Sequence, residues 1–201
     1  MLDRLAIAAL KPSLDRAARL LVRAGIGADV VTWAGFAIGV SAAAAITQQQ
    51  FGAGLALLLA SRVADGLDGA VARQTRPTDR GAFLDIALDF LFYASIPLAF
   101  AIADPAANAL PAAVLLAAFI GTGSSFLAYA VMAERCQLAS KAFPAKGIFY
   151  LGGLTEATET ISCFVLMCLW PAYFATFAYG FAVLCGVTIV TRLSAGWRSL
   201  T

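Results

Sequence analysis

Six stretches of this sequence, roughly residues 31–47, 51–73, 82–103, 109–133, 150–170 and 172–192, are long and apolar enough to cross a lipid bilayer. A helix needs about 20 mostly apolar residues to do so. In hydrocarbon every backbone polar group must be satisfied from within, and a helix does this segment by segment. The sequence therefore predicts an all-α integral membrane protein with six transmembrane helices. Turn signals separate the stretches: Gln48 to Gln50, Arg76 to Arg80, Asp104-Pro105, the polar patch from Glu134 to Gly147, and Pro171. The second stretch differs from the others, because its uninterrupted apolarity ends at Arg62 and its second half carries Asp65 and Asp68. Charged residues make up only 13% of the chain and hydrophobic ones 61%, against an ordinary charged share of about 25%. Soluble, disordered and coiled-coil classes are excluded. A net charge of +2 is too small to imply a nucleic-acid partner.

The placement of positive charge predicts the topology. Arg4, Lys11, Arg16, Arg19 and Arg23 precede the first stretch, and Arg62, Arg73, Arg76 and Arg80 lie at the second-to-third junction. Arg135, Lys141 and Lys146 lie between the fourth and fifth, and Arg192 and Arg198 in the tail. All 14 basic residues thus fall on one side. By the positive-inside rule both termini and the acidic site described next are cytoplasmic, and the expected location is a bacterial inner membrane. Residues 1–27 are expected to form a cytoplasmic interfacial segment and residues 28–201 the six-helix catalytic domain. In the former, Ser13 is expected to cap a short helix with Leu14, Ala17, Ala18, Leu21 and Val22 on one face and Arg16, Arg19 and Arg23 on another. Lys11 and Pro12 interrupt the first apolar stretch too early for a cleavable signal peptide. Gly35 and Gly39 have the spacing of a helix-packing motif. Cys136, Cys163, Cys168 and Cys185 form no C-x-x-C pair and read as small hydrophobes.

Four aspartates sit where charge is expensive. Asp65 and Asp68 are three apart near the end of the second stretch, and Asp85 and Asp89 four apart near the start of the third, so each pair shares a helical face. With the turn centred on Pro77, Asp65 and Asp89 are both twelve residues away and Asp68 and Asp85 nine and eight. In an antiparallel hairpin of facing helices that places all four at similar depth, within reach of one another. The alternative is a structural salt-bridge network of these aspartates with Arg62, Arg73, Arg76 and Arg80 at the membrane edge, but matched depth leaves the arginines nearer the mouth. Such carboxylates cannot all stay ionised without cations. An all-oxygen cage suits hard divalent ions such as Mg²⁺ or Mn²⁺. The chain contains no histidine, so any proton acceptor is expected to be a carboxylate. Gly69, Ala72 and Gly81 leave backbone open to a substrate, and Arg73 offers a planar fork to phosphate oxygens. Together these features point to a lipid diphosphate as substrate.

The pattern Asp65-x-x-Asp68-Gly69-x-x-Ala72-Arg73, seven residues, then Gly81-x-x-x-Asp85-x-x-x-Asp89 resembles the signature of the CDP-alcohol phosphatidyltransferases at all eight fixed positions. Thr32-x-x-Gly35 and the six-stretch layout extend the resemblance over nearly the whole chain; Ala28-Asp29 stands where many members have Pro-Asn. The resemblance implies transfer of a phosphatidyl group from CDP-diacylglycerol, or a similar CDP-lipid, to a small polar alcohol, with CMP leaving. It implies that Asp65, Asp68, Asp85 and Asp89 bind two metal ions, Mg²⁺ or Mn²⁺, and that Asp89 also takes the acceptor proton. It places Gly69, Ala72, Arg73 and Gly81 in the wall of the CDP pocket, with Thr78, Asp29 and Thr32 as further contacts, and it implies a homodimer.

Two other classes remain open on the residues alone. An intramembrane prenyltransferase also combines aspartate pairs, magnesium and lipid diphosphates, but assigns no purpose to Gly69, Ala72, Arg73 and Gly81. A non-enzymatic ion or solute carrier would place its charge nearer the bilayer centre. The acceptor pocket is expected among Arg135, Lys141, Lys146 and Arg192 for a phosphorylated alcohol, or at Glu156 and Glu159 for a hydroxyl-rich or amine-bearing one.

Overall fold

Gly25 and Gln49, at two of the chain reversals, hold backbone that turns left-handed, with φ of +75° and +60°. Each sits one residue past a helix cap in a Schellman arrangement, where the last carbonyls accept from the turn: Ile26 N donates to Leu21 O and Gln50 N to Ala45 O. Glycine takes this conformation freely. Glutamine does not, and Gln49 is fastened instead by its side chain, whose Nε2 donates to Ala103 O at 2.9 Å. The reversal after α2 is thereby tied to the end of α4.

The computed structural model describes residues 2–136 and 154–200, and among them all regular structure is helical. The elements are α1 (Leu2–Arg23), α2 (Ala28–Thr47), α3 (Phe51–Gln74), α4 (Asp79–Ala103), α5 (Pro105–Arg135), α6 (Ala157–Leu169), a 3₁₀ turn (Pro171–Tyr173) and α7 (Phe174–Ser199). Four segments are long and apolar enough to cross a membrane: α2, α4, α5 and residues 171–199. Helix α3 has the length, with 24 residues, but carries Arg62, Asp65, Asp68 and Arg73 in its second half. Helix α6 is apolar and 13 residues long within the described part of the chain.

The N-terminal helix differs from the expectation at its start. Helix α1 begins at Leu2 and passes through Pro12, so Ser13 is an interior residue and not a cap. A proline removes one donor from the ladder without abolishing the flanking hydrogen bonds, and the alanine- and leucine-rich sequence around it carries the helix across. Beyond that point one side of the helix packs on α3 and the other is exposed. Ala18 is fully buried with Ala70 and Val71 of α3, Leu14, Leu21 and Val22 pack around them, and Arg16, Arg19 and Arg23 are exposed. Gln74 Nε2 donates to Asp15 O and pins the end of α3 to this helix.

Helix α2 is the wedge of the bundle. It packs against both α3 and α4, which make their main contacts with it and not with each other. The predicted hairpin of facing helices is thus splayed, and a cleft opens between its arms. Small residues on α2 permit the close approach. A Cβ at Gly35 would lie 3.0 Å from Ala64 Cβ, and one at Gly39 would meet Phe92 Cδ2 at 2.7 Å and Ser61 Oγ at 2.9 Å. Away from the cleft the core is aromatic, with Phe100 stacked on Phe174 at 4.6 Å and on Phe51 at 5.6 Å. Phe92, Phe164, Leu115 and Met167 fill the remainder.

Gly39→Ala forces Phe92 and Ser61 apart, and overpacking of this kind costs about 1–3 kcal/mol. Thermal unfolding in detergent is expected to show a lowered midpoint for Gly39→Ala and none for Gly52→Ala, whose added methyl meets open space.

Candidate active site

The cleft takes Thr32, Gly35 and Phe36 from α2, Arg62 and Asp65 from α3, and Asp85, Leu88 and Asp89 from α4. Helical spacing explains each contribution. Asp65 and Asp68 lie almost one turn apart on α3, Asp85 and Asp89 slightly more than one turn apart on α4, and α2 closes the back. The short turn from Thr75 to Thr78 joins the arms. Thr78 Oγ1 accepts from Gly81 N at 3.1 Å and so caps α4.

Carboxylate oxygens of Asp65, Asp68 and Asp85 all lie within 4.8 Å of one another. Asp68 is buried, and its Oδ2 has no hydrogen-bond partner. A buried carboxylate oxygen without a donor is costly, and the residues around it supply more acceptors. A cation satisfies all of them at once. Three carboxylates form a hard, all-oxygen donor set of the kind that Mg²⁺ and Mn²⁺ favour, so these residues fit a divalent ion.

Asp89 lines the same cleft in a different state. Its Oδ1 accepts from Arg62 Nη1 at 2.7 Å, and the same nitrogen lies 3.4 Å from Asp65 Oδ1. The guanidinium also donates through Nη2 to Ser61 Oγ at 3.1 Å and stacks 3.7 Å above the Phe92 ring centroid. Arg62 was expected near the mouth with the other basic residues. It lies instead on the deep side of the aspartates and bridges α3 to α4, because position 62 is three residues before Asp65 and further from the turn. The pairing of aspartates with arginines that the sequence offers as an alternative is thus realised at Arg62, with Asp65 and Asp89, a cation inside an apolar run at i,i+3 from an aspartate.

The expected CDP contacts fall into two groups beside the cleft. A Cβ on Gly81 would meet Thr78 Oγ1 at 3.2 Å and Asp29 Oδ1 at 3.4 Å, and Asp29 pairs with the exposed Arg80. Gly69 faces Arg73, whose Nη1 would lie 3.3 Å from an added Cβ, and Arg73 is exposed. Ala72 is half-buried on the same helix, and Thr32 lines the cleft itself while its Oγ1 donates to Ala28 O.

The acceptor candidates are not gathered here. Lys141 and Lys146 lie outside the described residues. Arg135 is exposed in the last turn of α5. Arg192 is buried between α5 and α7, donates to Thr122 O at 3.0 Å and lies over Phe126. Glu156 and Glu159 form a reciprocal capping box at the start of α6.

A membrane-embedded helical bundle with an acidic, cation-seeking cleft between two splayed helices defines the class. The sequence profile of the CDP-alcohol phosphatidyltransferases matches residues 26–192. The chain belongs to this family of phospholipid-synthesis enzymes, which transfer from a CDP-activated lipid. It is 50% identical over 200 residues to the inner membrane protein YnjF of Escherichia coli K12, covering all of this chain and 97% of that one. It is 46% identical over 70 residues to an archaetidylinositol phosphate synthase of Methanothermobacter thermautotrophicus, covering 34% of this chain and 36% of that protein. Among solved structures, the phosphatidylinositol phosphate synthase of Mycobacterium tuberculosis with CDP-DAG bound superposes with a TM-score of 0.69 at 23% identity, covering 92% of this chain and 93% of that one. A second structure of that synthase, in complex with manganese and citrate, gives a TM-score of 0.68 at 24% identity, covering 92% and 88%.

Asp68→Asn preserves shape but removes the charge at the most buried carboxylate. Equilibrium dialysis is expected to show a loss in Mn²⁺ affinity above about tenfold, the lower end of what even indirect changes at metal sites cost. Asp104→Asn, at the N-cap of α5, is expected to leave it unchanged.

Proposed function

We propose that this enzyme transfers a phosphatidyl group from CDP-diacylglycerol to a small polar alcohol and releases CMP, at the cytoplasmic face of a bacterial inner membrane. The observation that carries the reading is the convergence of Asp65, Asp68 and Asp85 around the unpartnered Asp68 Oδ2, in the sequence pattern of the family. Support comes from the Mycobacterium tuberculosis synthase, which has been solved with CDP-DAG and with manganese. The membrane frame follows the same reading: six spans, with the segments and loops that carry most of the basic residues on the cytoplasmic side and α1 along that surface.

A divalent ion held by the aspartates would neutralise the diphosphate and stabilise the departing CMP. The protein's own groups do the rest by position and electrostatics. Arg73 offers its fork to phosphate oxygens, while Gly69, Ala72 and Gly81 keep the wall low enough for the nucleotide, with Thr78, Asp29 and Thr32 beside it. Asp89 serves as base. The acceptor hydroxyl oxygen bonds to the lipid-bearing phosphorus, the bond from that phosphorus to the CMP oxygen breaks, and the hydroxyl proton passes to Asp89. Arg62 occupies Oδ1 of Asp89, and Oδ2 is the oxygen that receives the proton in this reading.

The acceptor reading favours a phosphorylated alcohol. Glu156 and Glu159 are engaged in capping α6, and Arg192 is packed against Thr122 and Phe126, which leaves Arg135, Lys141 and Lys146 as the charged set for the acceptor. Two of the proteins that this chain resembles are named as inositol phosphate lipid synthases.

Metal-dependent release of CMP from CDP-diacylglycerol by the purified protein tests the reaction. Chelation is expected to abolish it and Mg²⁺ or Mn²⁺ to restore it, whereas full turnover in metal-stripped protein sinks the proposal. Asp89→Asn keeps the side chain's shape but cannot accept the proton, and general-base catalysis is worth about 10²- to 10⁴-fold. Turnover is expected to fall by that factor with donor binding retained. For the acceptor, Lys141→Ala or Lys146→Ala is expected to raise its apparent KM with kcat unchanged, the signature of lost uniform binding. A rise seen only with Glu156→Gln removes the phosphorylated acceptor.

A further inference from the structure

The carboxylates of the cleft are unevenly shared. Three of them converge on one point, and the fourth is held by an arginine that the family pattern does not include. Arg62 is not a surface cation that happens to reach an aspartate. Its side chain is only 10% exposed and is held on several sides. Phe92 stacks on its face, Asp89 takes Nη1 and Ser61 takes Nη2. Ser61 is itself fixed, since its Oγ donates to Gly35 O at 2.8 Å across the interface with α2. The absence of a side chain at Gly39 makes the room that Phe92 and Ser61 occupy. Three helices therefore cooperate to keep one positive charge against Asp89.

We propose that Arg62 is a built-in cation that takes the place of a second metal ion: this site loads one divalent ion, on Asp65, Asp68 and Asp85, while Arg62 neutralises and orients Asp89. The inference rests on the metal reading proposed above and deepens it. Three features carry it. Asp65, Asp68 and Asp85 bring their oxygens within 4.8 Å of one another, in a group that does not include Asp89. Asp89 already has a cation 2.7 Å away. A doubly charged ion placed on Asp89 would face that guanidinium at close range in a poorly hydrated setting, where like charges repel most strongly. Nor can the guanidinium move aside without leaving its ring, its hydroxyl and its carboxylate together. Arg62 is in this sense a positioning residue, acting on the reaction through Asp89.

The test is Mn²⁺ binding to the full chain purified in detergent, with bound metal counted per polypeptide by equilibrium dialysis and elemental analysis. Wild-type protein is expected to saturate at one Mn²⁺. Asp89→Asn is expected to keep that ion with unchanged affinity, and Asp85→Asn to lose it. Arg62→Gln frees Asp89 and is expected to raise the count towards two, whereas Arg62→Lys keeps the charge and is expected to stay at one. Two ions on the wild type, loss of Mn²⁺ from Asp89→Asn as complete as from Asp85→Asn, or a count that stays at one in folded Arg62→Gln would each overturn the inference. The first two measurements decide it even if Arg62→Gln does not fold. Failure of the wild type to bind Mn²⁺ at all is a different result, which overturns the metal reading itself as well.

Discussion

Everything near the cleft follows from placing carboxylates inside an apolar bundle. An ionised side chain at membrane depth is expensive unless it is partnered, by roughly 2.5–3.5 kcal/mol for an aspartate on the insertion scale. Four of them close together add mutual repulsion. The structure meets that cost in two ways. Arg62 compensates Asp89 and part of Asp65 from within the protein, and the remaining oxygens converge in a geometry suited to a divalent ion. A buried ion pair adds little net stability by this arithmetic. What it supplies is a fixed position, here for the carboxylate proposed as the base.

The glycine spacing of α2 and the charge of α3 are parts of one design. A helix lined with small residues brings backbones close, and at Gly35 and Gly39 that closeness admits Ala64, Ser61 and Phe92. Ser61 and Phe92 then hold Arg62. Because α2 occupies the place where α3 and α4 would otherwise meet, the two helix backbones stay apart and their carboxylates meet across a cleft. A feature that reads as packing in the sequence is thus also what positions the site.

Tertiary context gave several residues a different employment from the one their chemistry suggested. Thr78 caps α4, Glu156 and Glu159 cap α6, and Arg192 is packed between α5 and α7. Each of these side chains is a good ligand for nucleotide or acceptor in the abstract. Each is also well suited to satisfying an orphan backbone group, and helix ends always present such groups. Ser13 went the other way: a serine placed like a cap is interior, because α1 runs through Pro12.

The sequence by itself determined the class of fold, the family and the acidic pattern. These rest on local properties: apolar length decides what crosses lipid, the 3.6-residue period decides which aspartates share a face, and the eight motif positions lie within 25 residues. The convergence of Asp65, Asp68 and Asp85 was legible for the same reason, since distance from one short turn fixes depth on both arms. The tertiary structure alone decided that α3 and α4 splay around α2, and that Arg62 pairs with Asp89 while Asp65, Asp68 and Asp85 converge on one another. Those outcomes depend on the reach and direction of side chains from three helices whose mutual angles no local pattern encodes. An arginine three residues from an aspartate reads the same on a solvated helix face as in a buried bridge, and only the packing of Phe92 and Ser61 around it distinguishes the two.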